Sequence, residues 1–95
     1  MRLEISARAQ RDIDGIFVYG LETFGETQAR LYSKELLDLL DLLLVTPKLG
    51  IQHKIFGRPL RTLLFHNHLI FYRLGREKVR VVRILHGRQN WPDAI

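Results

Sequence analysis

The chain has 95 residues, 46% of them apolar and 26% charged, which is typical of one small folded domain, so we predict a single domain over residues 1–95. It contains no cysteine, which excludes disulfides, thiolate nucleophiles and cysteine-containing zinc sites. Its net charge is +5, and it has neither a signal peptide nor an apolar run near the roughly 20 residues of a membrane span, so we expect a soluble cytoplasmic protein without membrane contact.

The first half of the sequence predicts a strand followed by two helices. Polar and apolar residues alternate over residues 2–5, which indicates a short half-buried strand. Ser6 is placed to cap the first helix, whose apolar residues recur every three or four positions until Gly25. A second helix begins at Glu26 and ends before Pro47. Because the connection at Gly25 is so short, the two helices are predicted to pack as an antiparallel hairpin.

The second helix carries more leucines than one sheet face requires. Its apolar stripe is widened by a further set, namely Leu31, Leu37, Leu39, Leu42 and Leu44. Either the helix is buried on two sides within the monomer, or the extra leucines form a surface for a partner chain. Periodicity alone favours neither interpretation.

The second half of the sequence predicts a loop and then three strands. Residues 46–59 contain two prolines and two glycines and are predicted to form a connecting loop. Strands are predicted at 60–65, 68–74 and 78–85, joined by two-residue turns as an antiparallel meander. The last strand has apolar residues of both parities, so we expect it in the interior of the sheet. The predicted fold is therefore α+β, with a helical hairpin on one face of a small sheet.

Positive charge is concentrated in the second half. Residues 1–47 hold five Lys and Arg against eight Asp and Glu, a charge of −3, whereas residues 48–95 hold ten against two, a charge of +8. This asymmetry indicates a basic surface for an acidic or polyanionic partner. Arg80 and Arg83 differ by an odd number and are expected on opposite faces of their strand. His66 and His68 flank a predicted turn without a neighbouring carboxylate, so we expect no metal site, and no cofactor motif is present.

Three segments resemble the ParE family of bacterial toxins, a branch of the ParE/RelE superfamily of type II toxin–antitoxin modules. They are SARAQRDIDGIFVYGLETFG, the end of the second helix at TPKLG, and FYRLGREKVRVVRILHGRQNW. The resemblance spans nearly the whole chain, and the closing ILHGR pattern is its most specific part. The family fold is a helical hairpin against a mainly antiparallel sheet, the same order of elements as that predicted above.

The resemblance implies two partners. One is a ParD-like antitoxin, a ribbon-helix-helix protein whose acidic C-terminal segment wraps the toxin through apolar and acidic contacts. The residues expected to bind it are Leu37, Leu44, Arg61, Arg73, Arg80 and Arg83. The other is DNA gyrase, which ParE toxins poison without catalytic residues of their own, so that DNA is reached only through gyrase or the antitoxin. The residues expected to contact this target are His86, Arg88 and Trp91.

Two alternative functions remain open at the level of sequence. The sister RelE branch cleaves messenger RNA on the ribosome, often with a Tyr near the C-terminus. Here His86-Gly87-Arg88 is followed by Gln-Asn-Trp-Pro-Asp-Ala-Ile, without such a Tyr, although His86 and Arg88 could form an acid–base and phosphate-binding pair. The second alternative is an inactive toxin that persists as an antitoxin-binding module.

Overall fold

The computed structural model of the protein describes residues 1–55 and 57–87. Its elements in chain order are β1 (Arg2–Ile5), α1 (Ala7–Phe24), α2 (Glu26–Val45), β2 (Ile51–Ile55), β3 (Arg58–Phe65), β4 (His68–Gly75) and β5 (Lys78–His86). The predicted α+β class and the order of strand, helical hairpin and antiparallel strands are confirmed. Within the described residues, no helix is both long and apolar enough to cross a membrane.

The helical hairpin forms as its sequence predicts. The Ser6 side chain accepts a hydrogen bond from the Ala9 backbone N–H at 3.0 Å and so caps α1. Gly25 ends α1 and precedes α2, with a φ of 89° that side chains other than glycine rarely adopt. At Gly20 an added Cβ would lie 3.3 Å from the Ala29 Cβ, so the absent side chain allows the two helices to approach closely.

The sheet has five strands in the order β1-β5-β4-β3-β2, with β1 parallel to β5 and the other pairs antiparallel. The prediction that residues 46–59 form a loop is wrong, because β2 and the start of β3 occupy half of this segment. Gly57, with a φ of 76°, lies between the two strands, and Ile51–Ile55 pairs with Arg58–Thr62. The glycines and Pro59 therefore belong to a β-hairpin here and not to a long loop.

The predicted meander is confirmed with small shifts in its bounds. Strand β3 begins two residues earlier than expected, at Arg58, and β4 and β5 each end one residue later. The first turn lies at His66-Asn67 as predicted, and His66 has a φ of 52°. The second turn lies at Arg76-Glu77, one residue beyond the predicted position. Strand β5 is an interior strand, between β1 and β4, as its apolar residues of both parities indicate.

The two faces of the sheet have different cores. We call the face against which α1 and α2 pack the inner face and the opposite one the outer face. The inner core joins helix residues to strand residues, and its buried members are Ala9, Leu36, Leu40, Leu43, Phe65, Ile70, Tyr72, Val79, Val81 and Ile84. The described members of the smaller outer core all lie on strands, namely buried Leu60, Phe71 and Leu85, with Leu69 and Val82 partly buried beside them.

A register shift in β5 changes which residues face inward. Tyr72 pairs with Val81 but Phe71 pairs with Arg83, so β5 holds one extra residue at this point. Val81 and Ile84 consequently both pack in the inner core although they are three residues apart. The rule that successive side chains of a strand point to opposite faces therefore does not hold across this irregularity.

The extra leucines of α2 divide between the two interpretations that the sequence left open. Leu39 and Leu44 are partly buried against the inner core, so they belong to the monomer. Leu31, Leu37 and Leu42 are 48%, 48% and 45% exposed and remain available to a partner. The helical layer therefore carries apolar surface on its solvent side.

Candidate functional site

The end of β5 is anchored to α1 by a group of contacts that we call the Asp12 junction. Strand β1 pairs with β5 only as far as Val81, which leaves the next part of β5 without a neighbouring strand on that side. The Ser6 hydroxyl donates to the Val82 carbonyl oxygen at 2.8 Å, and the Ile84 N–H donates to Asp12 Oδ2 at 2.9 Å. Side chains at the start of α1 thus replace the missing strand and satisfy the backbone of β5.

The Arg83 guanidinium completes the junction. Its Nε donates to Asp12 Oδ2 at 2.8 Å and its Nη2 to Asp12 Oδ1 at 3.1 Å, a two-point pairing of fork and carboxylate. Both side chains are largely buried, with 12% and 15% exposure. The hydrogen bond from Asp12 raises the pKa of Arg83, so this cation is fixed in its charged form. Arg83 therefore holds the fold together at this point.

A groove of about 810 Å³ lies next to the junction, between the hairpin and the end of the sheet. We call it the histidine groove. Its helical side includes Ile16, Phe17, Tyr19, Phe24 and Tyr32, and its sheet side includes His66, His68 and His86. An apolar wall facing a few polar groups is typical of ligand and partner sites in proteins.

The three histidines of the groove are held in one cluster with Tyr32. The Tyr32 hydroxyl lies 2.7 Å from His68 Nδ1, and the rings of His68 and His86 are 5.6 Å apart in an edge-to-face arrangement. His66 Nε2 lies 2.9 Å from a carboxylate oxygen of Glu35 on α2. The β3–β4 turn and the start of β4 are therefore bound to α2 by polar contacts.

The protonation of this cluster follows from its surroundings. Burial, followed by the neighbouring His86 and His66, lowers the pKa of His68. Burial and the charge of Glu35 raise the pKa of Tyr32. At neutral pH the hydroxyl therefore keeps its proton and the imidazole of His68 is neutral, and the tautomer of His68 sets which of the two groups donates the hydrogen bond. Among the described residues, no group of three metal-ligating side chains is close enough to hold an ion.

A second feature lies on the outer face, at the other end of β5. Five basic residues follow one another across β1, β5, β4 and β3, and we call them the cationic row. They are Arg2, Lys78, Arg80, Arg73 and Arg58. In the described part of the chain, the ion pairs of this row all end on Glu4, which contacts Arg80, Lys78 at 3.3 Å and Arg2 at 4.0 Å. The hydrogen bonds from Arg80 and Lys78 lower the pKa of Glu4, so the carboxylate is ionised.

Arg58 and Arg73 lie beyond the reach of Glu4. Arg73 stands opposite Arg80 in the β4–β5 register, and its Nη1 makes one long contact of 3.5 Å with the Pro59 carbonyl oxygen. Burial, and after it the positive charge of Arg58, lower the pKa of Arg73. Two guanidinium groups thus lie close together, and neither forms an ion pair within residues 1–55 and 57–87.

The residues expected to bind an antitoxin are dispersed in the structure. Leu37 is exposed on α2, whereas Leu44 packs partly against the inner core. Arg61 Nη1 donates to the Gly50 carbonyl oxygen at 2.8 Å, and its Nη2 donates to Gln52 Oε1 at 3.0 Å, so Arg61 holds the connection into β2. Arg73 and Arg80 belong to the cationic row. The binding role of all these residues, Arg83 among them, stays a prediction.

Of the residues expected to contact the target, His86 lies in the histidine groove. Arg88 and Trp91 are outside the described residues. Sequence reasoning missed Asp12, Tyr32, His68 and Arg58 as members of these sites. Nothing local marks them, since each acquires its role from a residue on another element.

Comparison with known proteins agrees with the fold and extends it. A sequence profile described as the ParE toxin of type II toxin–antitoxin systems, parDE, matches residues 3–91. The chain belongs to the ParE toxin family. Toxin ParE1 of Caulobacter vibrioides is 30% identical over 86 residues, which cover 90% of this chain and 88% of that protein. The protein is accordingly a toxin of the type II toxin–antitoxin class.

A solved structure supports the same architecture for this ParE-family toxin. A chain from the chromosomal ParDE TA system of P. aeruginosa superposes with a TM-score of 0.77, covering 90% of this chain and 95% of that one. The two sequences are 19% identical, so this likeness concerns the fold alone.

Proposed function

We propose that this ParE-family toxin inhibits DNA gyrase, and so replication, without a catalytic step of its own. The observation that supports the proposal is membership of the ParE family over residues 3–91, which includes the sheet, the hairpin and the groove. Gyrase acts on DNA in the cytoplasm, so the proposal places the protein there. In the same proposal a ParD-like antitoxin, a ribbon-helix-helix protein with an acidic C-terminal segment, neutralises the toxin.

The helical layer is the surface that suits such an antitoxin. Leu37 is half exposed on α2, and apolar side chains exposed on a helix are typical contacts for an amphipathic partner segment. The solved structure to which this fold is similar is described as a ParDE system, which supports pairing with an antitoxin of that kind. The expected contact of the antitoxin's acidic segment with Arg61 belongs to the same proposal.

The histidine groove is the surface that we assign to the target. It places His86 among aromatic side chains, and a groove with an apolar wall and imidazole donors suits docking of a protein loop or helix. The expected contributions of Arg88 and Trp91 belong to the same proposal. The antitoxin and the target would then occupy different parts of the surface.

The deciding experiment is a supercoiling and DNA-cleavage assay with gyrase and purified, antitoxin-free protein. Loss of supercoiling with accumulation of cleaved DNA is expected. His86→Ala should weaken this effect, and His53→Ala, a histidine on β2 outside the groove, is the matched control. If folded protein leaves gyrase unaffected, the gyrase proposal is wrong, and a translation assay then distinguishes ribosome-dependent RNA cleavage from an inactive toxin.

The antitoxin surface has its own test in a pair of variants on α2. Leu37 and Leu31 are equally exposed, at 48%, but six positions on a helix place them on widely separated sides. Leu37→Glu should weaken binding of a cognate antitoxin on the order of tenfold or more, because a charge replaces a buried apolar contact, whereas Leu31→Glu should change it little. Unchanged antitoxin affinity in Leu37→Glu would remove this residue from the interface.

A further inference from the structure

The cationic row has more positive charge than its surroundings neutralise. Among the residues that the structure describes, three of its five cations contact one carboxylate, Glu4, and the other two, Arg58 and Arg73, form no ion pair. Arg73 and Arg80 stand directly opposite each other on neighbouring strands, an arrangement that destabilises a sheet when the charges are alike. This repulsion lowers the stability of the folded protein. An anionic ligand bound to this face would neutralise it, so the arrangement points to such a ligand.

Charge and apolar surface are separated between the two layers of the molecule. The solvent side of the helical layer exposes acids, among them Asp14, Glu22, Glu26, Asp38 and Asp41. The exposed leucines of α2 lie on this layer as well. Among the described residues of the outer face, the apolar neighbours of the cationic row, Leu60 and Phe71, are fully buried, and the exposed Leu64 lies near the far end of β3. The row is therefore a polar, strongly basic surface, whereas the helices are acidic and partly apolar.

We propose that the cationic row binds the phosphodiester backbone of double-stranded DNA, with Arg58 and Arg73 as its principal phosphate contacts. Arginine presents a rigid fork of donors that matches phosphate geometry, and these two guanidinium groups, which form no ion pair with a described carboxylate, are available to bind phosphate. Contacts of this kind carry no sequence information, so the binding is independent of base sequence.

The polarity of the row favours DNA over an acidic protein segment. Protein–DNA interfaces are more polar and much more positively charged than protein–protein interfaces, whose centres are depleted of charged residues. Four neighbouring strands spaced about 4.8 Å apart give the row a length of about 14 Å. One DNA strand presents a phosphate about every 3.4 Å along the helix axis, so a row of this length faces several phosphates at once. The acidic helical layer repels the same duplex and orients the protein with its outer face toward it.

This inference goes beyond gyrase inhibition and does not depend on it. The sequence led to the expectation that DNA is reached only through gyrase or the antitoxin, whereas the row adds a direct contact of the toxin with DNA. On gyrase, such a contact would hold the toxin against the DNA segment that the enzyme carries. Because the test uses DNA without gyrase, its failure is separable from failure of the gyrase proposal.

The test is fluorescence anisotropy of a short labelled DNA duplex titrated with antitoxin-free protein over a range of salt concentrations. Wild-type protein should bind, with an affinity that falls steeply between about 50 mM and about 200 mM salt because counterions are released. The double variant Arg58→Gln/Arg73→Gln should lower the affinity on the order of tenfold and reduce the slope of log affinity against log salt by about 1.8. Arg58→Lys/Arg73→Lys keeps both charges and should retain most of the slope.

The matched control is Arg8→Gln/Arg11→Gln, which removes the same charge from exposed positions on α1. Its salt slope should remain that of the wild type, and circular dichroism confirms that all variants fold. The proposal is overturned by absence of duplex binding at low salt, or by an equal loss of slope in the control. It is also overturned if the protein binds a synthetic glutamate-rich peptide through Arg58 and Arg73 but not DNA, since the row then serves a protein partner.

Discussion

Arg83 and Arg73 lie on neighbouring strands of one sheet, and their surroundings are opposite. Arg83 is largely buried and bound at two points by Asp12, which also accepts the Ile84 N–H. Arg73 contacts a carbonyl oxygen at long range and faces Arg80 and the charge of Arg58. The same residue type therefore stabilises the fold in the Asp12 junction and stores repulsion in the cationic row. The comparison teaches that one basic sheet contains both kinds of arginine, and that the position of a carboxylate decides which of them stabilises the fold.

The largest effect on stability is expected at the junction. Asp12→Ala removes the carboxylate that pairs with the largely buried Arg83 cation and accepts from the Ile84 N–H, which should lower the free energy of unfolding by about 3 kcal/mol. Urea unfolding measures the change. Asp38→Ala, which breaks the exposed ion pair with Lys34, is the control and should leave the free energy of unfolding almost unchanged. Equal stability of the two variants would contradict the structural role of the junction.

The next effect concerns a polar group of the inner core. The buried Tyr72 hydroxyl donates to the Pro47 carbonyl oxygen and accepts from the Gly50 N–H, both at 2.8 Å. Tyr72→Phe leaves both backbone groups without this partner and should lower the free energy of unfolding by about 2 kcal/mol. Tyr19→Phe, at a position 63% exposed, should have almost no effect. A Tyr72→Phe variant as stable as wild type would show that water replaces the hydroxyl.

A smaller effect is expected from pH at the histidine groove. The pKa of His68 is lower in the folded protein than in the unfolded chain, so below the ordinary histidine pKa of about 6.5 the unfolded chain binds more protons. The contribution of His68 to the free energy of unfolding should therefore be fully present above about pH 6.5. It should decrease as the pH falls from there toward the pKa of His68 in the folded protein. Urea unfolding as a function of pH measures this, and His68→Gln should flatten the dependence. An unchanged pH profile in His68→Gln would assign the titration to another group.

The smallest effect on stability is expected in the cationic row, where it has the opposite sign from the junction. Arg73→Gln removes repulsion from Arg58 and Arg80, so the free energy of unfolding should stay within about 0.5 kcal/mol of wild type or rise slightly. Added salt should stabilise wild type more than the variant, because it screens a repulsion that the variant lacks. Thermal unfolding at low and high salt compares them. Marked destabilisation by Arg73→Gln would place this residue with Arg83 among the structural arginines.

The sequence by itself determined the elements whose signals are local. The Ser6 cap, the stop at Gly25, the helical hairpin and the meander turns depend on residues within a few positions of one another, and each was predictable from spacing and residue type. The resemblance to ParE toxins was readable from segments such as ILHGR for the same reason. Strand β2 was missed because its flanking glycines and Pro59, which form a hairpin, resemble the punctuation of a loop.

Only the tertiary structure decided which charges are paired and which side chains form a site. The paired residues are far apart in the sequence. Tyr32 and His68 are separated by 36 positions, Asp12 and Arg83 by 71, and Glu4 and Arg80 by 76. The parallel pairing of β1 with β5 brings residues 2–5 next to residues 78–81, and because of the register shift at Val82 side chains do not alternate strictly between the two faces along β5. Electrostatic interactions depend on distance in space. The pattern of charge along the chain therefore predicted a basic surface, but it could not show which arginines belong to the Asp12 junction and which to the cationic row.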